Sequence, residues 1–162
     1  RLACHGKGER DMKIALFLHL LGAVIWIGGM FFAYFALRPS AAQLLQPPQR
    51  LPLWSATLER FFRWVWVSIA LVLGSGFYMF SVIANAARVP LYVQAMLYIG
   101  VVMTLIFGYV FFSPFATLKR AVADGLWQQA GGALDQIRVA VAVNLALGIA
   151  NIVIPTAGAM LR

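Results

Sequence analysis

Four apolar stretches, each long enough to cross a membrane, limit what this chain can fold into more than any other feature. They cover residues 14–37, 61–84, 91–112 and 139–161, and Arg63 is the one Lys, Arg, Asp or Glu inside them. A transmembrane helix needs about 20 consecutive apolar residues to cross the hydrocarbon core of a bilayer. The sequence therefore predicts an all-α integral membrane protein, folded as a four-helix antiparallel bundle.

The composition agrees with a chain whose solvent is lipid rather than water. Hydrophobic residues make up 62% of the 162 residues and charged residues 11%, whereas soluble domains carry about 25% charged residues. We interpret residues 12–162 as one four-span transmembrane domain, and the polar segment at residues 1–11 as an N-terminal arm or a non-native extension. The net charge of +8 lies in short connections rather than in a basic patch with stacking aromatics, which argues against nucleic-acid binding.

The residues between the apolar stretches predict where each helix begins and ends. We expect helices near residues 13–38, 55–85, 90–118 and 133–161. Pro39 should end the first helix, because a proline disfavours the helical conformation of the residue before it. Residues 40–60 contain three further prolines and should form a loop along the membrane surface, with the second helix starting near Pro52. Residues 121–134 are polar and contain glycine, which predicts an exposed connection.

The distribution of Lys and Arg predicts how the chain is oriented in the membrane. Basic residues concentrate in the cytoplasmic connections of membrane proteins. The connections after the first and third stretches contain seven: Arg38, Arg50, Arg60, Arg63, Lys119, Arg120 and Arg138. The opposite side contains three, Lys13, Arg88 and Arg162, when residues 1–11 are set aside. The sequence therefore predicts that both termini lie outside the cytoplasm.

His19 is the candidate anchor of a functional site, because it is the one side chain of the first stretch whose ordinary pKa lies near neutral pH. Such a residue is costly to bury in a membrane, so it usually faces the bundle interior. In antiparallel helices, Met79, Gln94, Met96 and Asn151 lie within roughly one to three turns of the same surface as His19. Imidazole suits copper and haem iron, while thioethers select the cuprous ion.

These residues predict two overlapping sets of ligands. A metal site would use His19, Met79 and Met96, and a cofactor would contact His19, Gln94, Met96 and Asn151. We expect the partner of the His19 ring to come from the third or fourth stretch. Each methionine is also a common filler of irregular apolar gaps, and the glycines equally explain close helix packing. The apolar stretches contain no Asp or Glu, which argues against a proton-driven pump with a carboxylate relay. The sequence assigns no catalytic residue.

Four segments resemble the CopD-like membrane proteins, a family with a copper-resistance protein D domain. They are LHLLGAVIWIGGMFFAYFALRP, RFFRWVWVSIALVLGSGFYM, YVQAMLYIGVVM and IRVAVAVNLALGI, one from each stretch. The resemblance implies a multi-pass protein of the bacterial inner membrane that takes part in copper uptake into or across that membrane. Gln94 stands where some CopD-like proteins have histidine.

A more distant resemblance is to the HemJ-like membrane protoporphyrinogen oxidases, whose first helix also has a histidine before a Trp-Gly turn. This resemblance implies haem b bound through His19. The lysine that would be the second haem ligand has no counterpart in residues 91–112.

Three functions follow as expectations from the sequence. The first is copper transport or binding near the outer leaflet, anchored by His19. The second is haem b binding for electron transfer, with His19 as an axial ligand. The third is a cofactor-free accessory subunit that binds other membrane subunits or a second copy of the chain. All three place the protein in a lipid bilayer.

Overall fold

The computed structural model describes residues 2–86 and 88–160, with side chains from residue 8 to 85 and from 88 to 156. The described residues are almost entirely helical and contain no strand. The elements are α1 (Leu2–Phe32), a π-helical turn (Ala33–Leu37), α2 (Arg38–Leu44), α3 (Pro47–Ala86), α4 (Leu91–Phe112), α5 (Pro114–Ala123) and α6 (Trp127–Met160). Arg1 and Arg162 lie outside the described residues.

Four segments of the described chain are long and apolar enough to cross a membrane: Gly8–Leu44, Pro47–Asn85, Leu91–Ala123 and Trp127–Thr156. The prediction of an all-α bundle of four membrane helices is therefore confirmed, and the chain is a multi-pass membrane protein. α1 packs along α3, while α4 and α5 pack along α6. Smaller contacts of α1 with α6 and of α3 with α4, α5 and α6 join these two groups into one bundle.

The first membrane helix does not end at Pro39, so that prediction is wrong. The chain passes through the π-helical turn, where the Arg38 backbone N–H donates to the Ala33 carbonyl, and continues as α2 to Leu44. A proline has no N–H, and its ring clashes with the carbonyl four residues earlier in an α-helix. The wider π turn ends at Leu37, two residues before Pro39, and accommodates the change, so the helix goes on.

Two predicted connections are also much shorter than expected. α3 begins at Pro47 rather than near Pro52, so no long surface loop covers residues 40–60. Prolines suit the first turn of a helix, where the backbone N–H groups have no helical acceptor. The predicted exposed connection at 121–134 shrinks to three residues, 124–126, because Gly125 adopts a positive φ of 68° and reverses the chain.

The polar segment at residues 1–11 continues α1 as far as Leu2. Its backbone is helical and joins the first membrane span without a break at Met12. The interpretation of this segment as an arm or a non-native extension stays a prediction.

The bundle is well packed at one end and loosely packed at the other. On α3 the last buried residue is Ser75, and on α4 the first is Gly100. On α6 the last among residues 127–156, whose burial is described, is Gly148. On α1 the membrane-deep buried residues after Ala15 are Gly22, Trp26 and Met30. The end of the bundle that contains His19 therefore has few buried side chains. The opposite end holds the hydrophobic core.

Aromatic side chains form the centre of the packed end. The ring of Phe62 on α3 meets Phe107 on α4 at a centroid distance of 5.2 Å and Phe115 on α5 at 4.8 Å, both edge to face. Trp26 of α1 adds a further edge-to-face contact with Phe107 at 6.3 Å. Each such pair contributes about 0.5–1.5 kcal/mol beyond the area it buries. This cluster fixes four of the helices against one another.

Candidate functional site

The His19 ring is held by α3. Its Nδ1 lies 3.0 Å from the Val72 carbonyl oxygen and 3.1 Å from the Ser75 hydroxyl oxygen. The prediction that its partner comes from the third or fourth span is therefore wrong, since α3 forms the second span. The reason is the closeness of α1 and α3, which meet where α1 has Gly22. A backbone carbonyl has two lone pairs, so Val72 can accept from His19 in addition to its helical bond.

These contacts fix the tautomer of the imidazole. A carbonyl oxygen only accepts hydrogen bonds, so Nδ1 of His19 carries the proton and donates it to Val72. The Ser75 hydroxyl donates to the Leu71 carbonyl and offers its oxygen to the same N–H. Within the described part of the chain, no hydrogen bond engages Nε2. In the neutral imidazole the lone pair is then on Nε2, which is the arrangement of a histidine that binds a metal ion.

Two adjoining cavities surround the His19 ring. The first has a volume of about 260 Å³ and is lined by His19, Met79, Met96 and Asn151 among mainly apolar side chains. The second has a volume of about 190 Å³ and again includes His19, Met96 and Asn151. Four of the five residues that the sequence placed at one depth are therefore brought to one cavity. The loose packing of this end leaves the space that they line.

Gln94 is the fifth residue, and the structure places it away from both cavities. Its side-chain nitrogen donates to the Val89 carbonyl at 3.1 Å, at the start of α4. The side chain therefore satisfies its own helix end rather than facing His19.

Asn151 presents an unused acceptor at the cavities. Its Oδ1 is buried and has no hydrogen-bond partner among the described residues. An amide oxygen has two lone pairs and usually finds a donor when it is buried. Asn144 lies two turns away on α6, and its Oδ1 is also buried without a described partner. Asn151 thus brings an acceptor without a described partner to the wall of both cavities.

The donor set around His19 is neutral and soft. An imidazole nitrogen, two thioethers and an amide oxygen line the first cavity, and no carboxylate or thiol is among its lining residues. Among the described residues, no three His, Cys, Asp or Glu side chains lie close enough together to hold a metal ion. Thioether and imidazole ligands suit copper(I), whereas hard divalent ions take oxygen ligands.

Sequence reasoning missed Val72 and Ser75. Ser75 carries a signal, because it is a hydroxyl that lies between Gly74 and Gly76 in a mainly apolar span. A Cβ on Gly76 would lie 3.4 Å from Cε1 of His19, so the ring stands against the glycine backbone. Val72 gives no such signal, because it contributes only its backbone carbonyl.

Comparison with protein families gives a match over most of the chain. The family model described as Copper resistance protein D matches residues 55–158, which is more than half of the chain. The matched range includes most of α3 and α6 and all of α4 and α5. It therefore contains Val72, Ser75, Met79, Met96 and Asn151. His19 lies before it. Neither the curated proteins nor the solved structures gave a match.

Proposed function

The chain belongs to the copper resistance protein D family, and we propose that it binds copper(I) in the cavity beside His19 and carries it through the bacterial inner membrane. The observation that carries this proposal is the position of one imidazole and two thioethers on a single cavity. Nε2 of His19 supplies the anchoring bond. Met79 and Met96 supply soft sulfur ligands from two different helices.

The held tautomer supports this role. Histidines that bind metal ions usually donate the other ring N–H to a carbonyl or carboxylate, which orients the ring and raises its basicity. The contact of 3.0 Å from Nδ1 to the Val72 oxygen supplies that donor–acceptor pair. The ring is therefore oriented before the ion arrives, and little side-chain entropy remains to be lost on binding.

The charge of the ligands favours copper(I) over divalent ions. Neutral ligands leave the charge of the ion uncompensated, and the cost of burying a charge in an apolar site is large. This cost rises with the square of the charge, so a divalent ion loses about four times as much solvation as a monovalent one. The lining of His19, Met79, Met96 and Asn151 offers no negative charge to offset that loss.

The absence of charge on these ligands also favours transport of copper(I) over its storage. An ion in transit must be bound tightly enough to enter and weakly enough to leave, and the neutral ligands here bind less strongly than thiolates. Beyond His19, the rings of Trp26, Phe62 and Phe107 close the centre of the bundle. Copper(I) therefore enters from the His19 end, and its movement to the other side requires the packed end to open.

The test is copper(I) binding by the purified chain under reducing conditions, measured by competition with a chromophoric copper(I) chelator. Cys4 is changed to Ser in every variant, because a thiolate would also bind copper(I). We expect His19→Ala to lose the bound ion and Met79→Leu and Met96→Leu to weaken it by about tenfold each, which corresponds to about 1.4 kcal/mol. Leucine replaces methionine with little change in volume.

His5→Ala is the matched control, since it removes the other histidine of the chain. It should leave copper(I) affinity unchanged. Copper(I) binding by His19→Ala that equals that of the parent chain would contradict the proposal.

Haem b is the second candidate, and the glycines of the cavity wall are the observation that favours it. Gly76 and Gly100 are among the residues that line the first cavity together with His19. Residues without side chains allow a flat ring to approach the backbone. An absorption band of reduced haem that disappears in His19→Ala and persists in Met96→Leu would select this function. A chain that binds neither copper nor haem would leave the accessory-subunit function.

A further inference from the structure

A groove separate from the two cavities runs along the contact between α1 and α3. It has a volume of about 390 Å³ and shares no lining residue with the cavities around His19. Its lining runs from Asp11 to Leu18 on α1 and from Ala70 to Tyr78 on α3. These stretches rise by roughly 10–12 Å along each helix. Tyr78 is 40% exposed, so the groove opens on the surface of the bundle.

The polar side chains of the groove meet at one of its ends. α1 and α3 belong to consecutive membrane spans, so they run antiparallel. Asp11 is the first lining residue of α1 and Tyr78 is the last of α3, which places both at the same end. Asp11 comes three residues before the apolar stretch at 14–37. This end of the groove therefore lies at the level of the lipid headgroups.

The remaining surface of the groove is formed by small and aliphatic side chains. Ala15 and Ala70 line it, and a Cβ added at Gly74 would meet nothing within 4 Å. The Ser75 hydroxyl is the exception, and it donates to the Leu71 carbonyl. The groove thus has an apolar floor that leads away from a polar end. This pattern matches a molecule with a polar head and a hydrocarbon chain.

Asp11 supplies a carboxylate without a partner at the polar end. Its side chain is half-buried, and no ion pair or hydrogen bond engages it within the described part of the chain. Its oxygens are not among the buried polar atoms that lack a partner, so they remain accessible. Lys13, two residues further along α1, binds Glu9 at 2.6 Å, and Arg10 points about 100° away around the helix. The polar end therefore offers an uncompensated negative charge.

We propose that this groove binds one phospholipid whose headgroup carries a primary ammonium group. An ammonium donates several hydrogen bonds, and those that join it to a carboxylate are of the stronger, charge-assisted class. The Tyr78 hydroxyl lies at the same end and donates to an oxygen of the phosphate or of an acyl ester. One acyl chain lies along the apolar floor beside Ala15 and Gly74. A trimethylammonium headgroup has no N–H to donate, and an anionic headgroup is repelled by Asp11, so the site selects the primary ammonium.

The experiment measures which phospholipid the purified full-length chain retains. The chain is placed in nanodiscs of phosphatidylethanolamine, phosphatidylglycerol and phosphatidylcholine in equal parts, extracted into detergent, and analysed by native mass spectrometry. Asp11→Asn removes the charge, and its matched control is Glu9→Gln, which removes a carboxylate that is paired with Lys13. Gly74→Leu fills the groove, and its matched control is Gly28→Leu, since an added Cβ meets nothing within 4 Å at either exposed glycine. Circular dichroism checks that each variant keeps its helices.

We expect the parent chain, Glu9→Gln and Gly28→Leu to retain one phosphatidylethanolamine each and little of the other two lipids. Asp11→Asn should retain at least about tenfold less of it, because hydrogen bonds to charged groups contribute that much to an affinity. Gly74→Leu should lose it to a similar extent. Equal retention by Asp11→Asn and Glu9→Gln would overturn the proposal, and so would equal retention of phosphatidylethanolamine and phosphatidylcholine by the parent chain. A dimer of the parent chain that carries no lipid and that Gly74→Leu abolishes would also overturn it, and would assign the groove to a second copy of the chain.

Discussion

Gly22 sets the distance between α1 and α3 beside the His19 hydrogen bond, and Gly22→Ala tests this. A Cβ at Gly22 would lie 3.0 Å from the Ser68 backbone oxygen and 2.9 Å from Cγ2 of Val72. The Ser68 oxygen belongs to the α3 backbone, so it cannot move without the helix. The added methyl group should therefore push α1 away from α3. This movement should also lengthen the hydrogen bond from His19 Nδ1 to the Val72 carbonyl oxygen.

The magnitude follows from comparison with Gly28→Ala. An added Cβ at Gly28 meets nothing within 4 Å, although both glycines lie in α1. Alanine is favoured over glycine in a helix by about 0.5–1 kcal/mol, and this gain applies to both variants. Overpacking applies only to Gly22→Ala and costs about 1–3 kcal/mol. The two variants should therefore differ in free energy of unfolding by about 1–3 kcal/mol, with Gly28→Ala the more stable.

The assay is reversible unfolding in mixed micelles with increasing fractions of a denaturing detergent, followed by circular dichroism. Copper(I) affinity is measured on the same samples, and Gly22→Ala should bind more weakly while Gly28→Ala binds as the parent does. Equal stability of the two variants would refute the close α1–α3 contact at Gly22. Unequal stability with equal copper(I) affinity would instead refute the link between this contact and the His19 ring.

Three further predictions concern the site and the orientation of the chain. Ser75→Ala should weaken copper(I) binding by about tenfold in chelator competition, because residues that orient a metal ligand typically contribute 10–100-fold; unchanged affinity would mean that Val72 alone orients His19. Gln94→Leu should leave copper(I) affinity unchanged in the same assay, since its amide donates to Val89, and a loss would place Gln94 at the site. A periplasm-dependent reporter fused after Arg162 should be active, and activity only of a cytoplasmic reporter would reverse the proposed orientation.

The four spans could be predicted from sequence because the length of an apolar run is a local property. The helix ends could not, because prolines act differently in different contexts. Pro39 follows a π-helical turn, whose wider hydrogen-bond pattern accommodates a residue without an N–H. Pro47 begins a helix. Both residues were interpreted as breaks. A proline therefore marks a change in backbone hydrogen bonding, and the neighbouring helices decide whether the chain continues.

The depth of the site residues and part of their direction could be predicted from the sequence, whereas the hydrogen-bond partner of His19 could not. Gln94 and Met96 lie at nearly the same depth in α4, yet two residues along a helix are turned by about 200°. Met96 lines the cavity, whereas Gln94 bonds to the backbone at the start of α4. Residues two apart on a helix point in nearly opposite directions, so Gln94 and Met96 cannot both face His19. This part of the answer was available in the sequence. The Val72 carbonyl was not, because every residue carries the same backbone group.

The arrangement of the ligands indicates how the proposed copper site could release its ion. His19 and Met79 lie on α1 and α3, which pack along each other, whereas Met96 and Asn151 lie on α4 and α6, which form the second closely packed pair. The two pairs are fixed together at the aromatic end, where Phe62 contacts Phe107. At the His19 end they are separated by the cavities.

A small rotation of one pair against the other, about the aromatic end, would therefore change the distances between ligands that belong to different pairs. The hydrogen bond of His19 to Val72 would stay intact, because both residues belong to the same pair. A copper(I) ion bound to both pairs would lose the Met96 thioether of α4 before the His19 imidazole. Met96→Leu removes this contact between the pairs in advance, so it should raise the rate of copper(I) release more than Met79→Leu does. Stopped-flow transfer to a chelator measures both rates, and equal rates would contradict release by movement between the pairs.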